Sequence, residues 1–139
     1  MTATAQQNFA KARAAAASGD HAEAARLYEW FFDHALDGDP LGLYGVRLAH
    51  GIREWAALGA QHPPAVERLR QKGDEALALF EAQRDPERFH DYAAICRHTQ
   101  RPGDPLARFL QYHERDRELA ATIVRFVDDD LIAARQWTV

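Results

Sequence analysis

The side chains that could bind or react in this chain are imidazoles, arginines and carboxylates on predicted helices. Seven histidines are present, and His90 and His98 share one predicted helix, but they are eight residues apart. A helical pair that chelates one metal ion is normally four residues apart. HExxH pairs, glycine-rich phosphate loops and GxSxG turns do not occur in the sequence. The sequence therefore predicts surface histidines, with no metal ligands, no cofactor and no catalytic residues.

A polar strip is predicted on the third helix, where Arg47, His50 and Glu54 recur at i, i+3 and i+7. This spacing places the three side chains on one side of a helix. The strip is either a solvated face with ion pairs to a neighbouring helix or the lining of a groove. His90 and Arg97, seven residues apart, would form a matching strip on the fifth helix. These five residues are our candidates for contacting a partner.

Trp30 is the sixth candidate, because four aromatic rings fall within five residues of the second helix. Tyr28, Phe31 and Phe32 lie on adjacent stripes that make one broad apolar face, so they are predicted to be core. Trp30 points to the polar side of the helix. Either a later helix folds over this ring or the ring is exposed to a partner.

The single cysteine, Cys96, falls on an apolar stripe with Phe89, Tyr92 and Ala93. A buried small hydrophobe is favoured over a nucleophile, since nothing nearby in the sequence would activate the thiol. One cysteine cannot form an intramolecular disulfide. A reducing, cytoplasmic location is the expectation, and no segment has the pattern of a signal peptide.

Composition narrows the range of partners. The net charge is −4, the pI is about 5.9, and the basic residues are scattered among acidic ones. This distribution argues against nucleic acid or an anionic membrane as the main partner. A chain of 139 residues is also long enough to bury one real core. We therefore expect a single domain over residues 1–139.

The elements that position these side chains are predicted to be helices only. Alanine-rich sequence alternates with Gly-Asp and Asp-Pro breaks, and β-branched residues never alternate at period two. An all-α fold of about eight helices in antiparallel pairs follows. The unbroken phase of apolar residues favours one fourth helix across Gly73. The first three predicted helices cover about residues 4–17, 20–36 and 39–59, and the fourth ends near residue 83. Four further helices are predicted to start near Asp85, within 101–105, at Asp116 and within 127–130.

The stretch GDHAEAARLYEWFFDHAL, residues 19–36, resembles the second helix of a tetratricopeptide repeat. It has a Gly-Asp turn, then Ala24, Tyr28 and Phe31, and Ala12 lies where the family has a small residue in the first helix. The early tryptophan of the family is replaced by Asn8, and no 34-residue period follows. The chain thus resembles the degenerate repeats of uncharacterised bacterial proteins.

This resemblance implies a right-handed α-α superhelix in which the first helix of each pair lines a concave face. It implies a non-catalytic interaction module, an adaptor or regulator that binds a peptide or partner protein in a helical groove. One alternative is a homo-oligomeric structural protein such as a homodimer, because the terminal RQWTV gives the last helix little polarity. Another is an enzyme, or a small-ligand or metal-binding protein, using Arg47, Glu54, His90 and Asp91 between helices three and five.

Overall fold

The computed structural model describes residues 4–35 and 46–133. Throughout these two ranges the regular elements are helical and strands are absent, which confirms the all-α prediction. The predicted start of the third helix, at residue 39, and the terminal RQWTV lie outside the described residues. The helices are α1 (Ala5–Ala17), α2 (His21–His34), α3 (Ile52–Leu58), α4 (Pro63–Gln83), α5 (Pro86–His98), α6 (Asp104–Arg115), α7 (Arg117–Ile123) and α8 (Asp128–Ala133).

Aspartate caps fix the start of three of these helices. The side chains of Asp20, Asp85 and Asp116 accept hydrogen bonds from backbone N–H groups in the first turns of α2, α5 and α7, at 3.3, 3.1 and 3.1 Å. Each cap satisfies a donor that has no partner within its helix. The carboxylate of Glu23, in the first turn of α2, pairs with Arg26.

Two glycines are required by local geometry. Gly19, between α1 and α2, has a φ of +85°, a left-handed conformation that residues with a side chain disfavour. This conformation agrees with the Gly-Asp turn predicted at this position. Gly59, after α3, lies so close to α4 that a Cβ placed on it would be 2.7 Å from the Cβ of Val66. A glycine at each position therefore lets the chain turn without a steric clash.

The chain divides into two compact units, Met1–Gln71 and Lys72–Val139, and the boundary falls inside α4. In the first unit, α1 and α2 form a helical hairpin. Tyr28, Phe31 and Phe32 are at most 8% exposed, so the prediction that these rings are core is confirmed. The ring of Phe9 from α1 packs 4.5 Å from that of Phe31, and Trp55 from α3 is fully buried beside Phe32.

The second unit has an apolar core centred on Phe80 and Phe89, both with 0% exposure. Their rings meet edge to face at 5.2 Å, and the ring of Tyr112 lies 5.6 Å from that of Phe80. Cys96 is buried in this core, and burial raises the pKa of its thiol to about 11. The prediction that Cys96 is a buried small residue is confirmed. Gly73 lies within an unbroken α4, as predicted.

Candidate functional site

A cleft opens in the first unit where the end of α1, the start of α2 and the end of α3 meet. Its volume is about 540 Å³, within the range of small-molecule and side-chain binding sites. Small or apolar residues form much of the wall, and four polar side chains join them. The lining consists of Ala16, Ala17, Gly19, Ala57 and Leu58 together with His21, Tyr28, Glu54 and Gln61.

Glu54 is the carboxylate among the described residues that line this cleft, and two neighbours hold it in place. Arg13 donates from Nε to Oε1 at 2.8 Å and from Nη2 to Oε2 at 2.7 Å. The hydroxyl of Tyr28 donates to Oε1 at 3.2 Å. Such a two-point arginine contact fixes both the distance and the plane of the carboxylate. α1, α2 and α3 therefore each contribute one member of a polar cluster.

The protonation states in this cluster are fixed by its contacts. The hydrogen bonds from Arg13 hold the pKa of Glu54 below its usual value. Burial, followed by the nearby Glu54 charge, raises the pKa of Tyr28 to about 12. At neutral pH Glu54 is therefore ionised and Tyr28 is protonated. A general acid or base works best with a pKa near the working pH, so this pair suits recognition better than proton transfer.

His21, the first residue of α2, lines the same cleft. Its Nδ1 atom is shielded from solvent and has no hydrogen-bond partner among the described residues. Leaving a buried polar atom without a partner costs about 1–3 kcal/mol. His21 therefore has a buried, unsatisfied ring nitrogen in the cleft wall, which a ligand in the cleft does not reach while the ring keeps this position.

The three residues of the polar strip predicted on the third helix lie in different environments in the structure. Arg47 is only 7% exposed, its Nε donates to the carbonyl oxygen of Phe32 at 2.7 Å, and its guanidinium lies 3.9 Å above the Phe32 ring. His50 is exposed and lies 2.8 Å from a guanidinium nitrogen of Arg53. Glu54 lies in the cleft. Of the three, Arg47 is part of the protein interior.

A π-helical turn, Arg47–Gly51, explains why these three side chains do not share one face of the helix. Its hydrogen bonds span one residue more than those of an α-helix, which rotates the residues before it relative to those after it. The turn also brings Gly51 against the Phe31 ring, where a Cβ would lie 3.2 Å from the ring. The i, i+3, i+7 spacing assumed a regular α-helix and therefore did not predict the inward position of Arg47.

Trp30 is partly buried, on the side of α2 away from the three core rings. Its ring lies 4.5 Å from that of His34, one turn later on the same helix. The prediction that Trp30 contacts a partner stays a prediction.

In the second unit, His90 and Arg97 converge on Phe126, which belongs to a 3-10 turn, Val124–Phe126. The imidazole of His90 stacks on the Phe126 ring, with centroids 4.3 Å apart and an interplanar angle of 13°. Arg97 donates from Nη2 to the carbonyl oxygen of Phe126 at 3.4 Å. Arg125 lies over the same ring and pairs with Glu87 of α5 at 3.3 Å. These contacts attach the 3-10 turn to α5. His90 and Arg97, two of the predicted partner contacts, therefore stabilise the fold of the second unit.

The stability of the native protein is expected to fall as the pH drops below about 6.5, through His90. Burial lowers the pKa of His90 from 6.5, against the opposing effect of Glu87. The unfolded chain then binds a proton at a higher pH than the folded chain, so the free energy of unfolding decreases until the folded pKa is passed. Urea unfolding between about pH 7 and 5 measures this slope.

The control for this prediction is His90→Gln, which removes the titrating group and leaves the other six histidines in place. Its stability should depend less steeply on pH than that of the wild type over the same interval. Equal slopes for the two proteins would show that another group is responsible.

Two other kinds of feature, a metal-binding cluster and a membrane-spanning helix, are absent from the described residues. Within residues 4–35 and 46–133, no cluster of three or more His, Cys, Asp or Glu side chains could hold a metal ion. In the same ranges, no helix has the length and apolar character required to cross a membrane. Searches against protein-family models, curated proteins and solved structures find no match.

Glu54 could be identified from the sequence, but the residues that surround it could not. Arg13 is 41 residues away in the chain, so no local spacing links the two. Tyr28 was correctly assigned to the core, but its hydroxyl was not connected with Glu54. His21 and Gln61 flank helix ends and carry no pattern that distinguishes them from ordinary turn residues.

Proposed function

We propose that this chain is a non-catalytic interaction module that holds a peptide segment of a partner protein in a helical groove. The groove is the cleft of the first unit, and the polar cluster of Arg13, Tyr28 and Glu54 at its small-residue wall is the observation that carries the proposal. A preformed site loses little conformational freedom on binding, which favours affinity. The tetratricopeptide-like sequence of α1 and α2 agrees with this type of function.

The chemistry of the lining supports a peptide as the ligand. Ala16, Ala17 and Ala57 leave room for a main chain to approach the helices closely. Gln61 offers both an amide donor and a carbonyl acceptor, the pair that a peptide backbone requires. The carboxylate of Glu54, which is paired with Arg13, adds a hydrogen-bond acceptor to the cleft wall.

This proposal changes the set of residues expected to contact the partner. Glu54 is retained, and His21, Tyr28 and Gln61 are added because they line the same cleft. Arg47 is omitted because its guanidinium is buried against Phe32.

A selection from a phage-displayed random peptide library against the intact protein tests the proposal. We expect peptides with dissociation constants on the order of micromolar, typical of short segments in shallow grooves. Ala57→Phe, which places a ring in the cleft at an exposed helical position, should weaken their binding at least about tenfold. Ala10→Phe is the matched control, because Ala10 is exposed on α1 and does not line the cleft.

The control variant should bind the selected peptides with the affinity of the wild type. If no peptide is selected, or if Ala57→Phe binds as well as the wild type, the cleft is not the peptide site.

A further inference from the structure

We draw no further inference here: the strongest candidate, the cleft where α1, α2 and α3 meet in the first unit, belongs to the site already described, and its carboxylate is already paired with Arg13, so nothing in its described lining selects a particular ligand.

Discussion

Replacing Arg47 with alanine is expected to lower the free energy of unfolding by about 3 kcal/mol. The substitution removes a hydrogen bond from a charged donor to the buried Phe32 carbonyl, worth about 1.5–3 kcal/mol. It also removes the guanidinium from the Phe32 ring, and a shielded cation–π contact contributes up to about 2 kcal/mol. The cavity left by the side chain adds to the loss. Urea denaturation followed by far-UV circular dichroism measures the change.

Two controls identify the cause of this loss. Arg53→Ala removes an exposed arginine six residues along the chain and should change stability by less than about 0.5 kcal/mol. Arg47→Lys keeps the charge but lacks the planar group that stacks on Phe32, so it should restore little stability. A fully stable Arg47→Ala protein that loses partner binding would contradict the structural role and return Arg47 to the contact surface.

Replacing Phe80 with alanine should cost about 3–5 kcal/mol, the usual range for a fully buried phenylalanine. Phe80 has no exposed surface, and its ring contacts those of Phe89 and Tyr112 edge to face. The loss combines the removal of apolar surface, the edge-to-face contacts and a new cavity in a closely packed core. Thermal and urea unfolding of the variant measure it.

Tyr112→Phe is the matched control for the Phe80 substitution. It keeps the ring in the cluster and removes only the hydroxyl that donates to the exposed Glu81 at 2.8 Å. Its expected cost is below about 1 kcal/mol. If Phe80→Ala also lowered the free energy of unfolding by less than about 1 kcal/mol, the aromatic cluster would not be the core of the second unit.

The helices could be predicted because their limits depend on nearby residues. Asp20, Asp85 and Asp116 each cap a helix through a backbone N–H two or three residues away. Gly19 takes the left-handed turn that its Gly-Asp context indicated. The burial of Phe80 and Phe89 follows from helical periodicity. The predicted tetratricopeptide-like superhelix depends on how helix pairs are arranged and stays a prediction.

The candidate site could be predicted only in part, because it depends on contacts between distant segments. Glu54 was found through its spacing from Arg47 and His50, but its partners Arg13 and Tyr28 lie on other helices. The π-helical turn at Arg47–Gly51 changes the direction of Arg47, and nothing in the local sequence indicates such a turn.

NMR with a library-selected peptide shows whether the cleft of the first unit is the peptide site. On addition of the peptide to the isotopically labelled protein, we predict that the perturbed amides cluster at residues 16–21 and 54–61, and that Ala57→Phe abolishes the perturbations. Perturbations confined to the surroundings of Trp30, or to the second unit, would show that the peptide binds elsewhere.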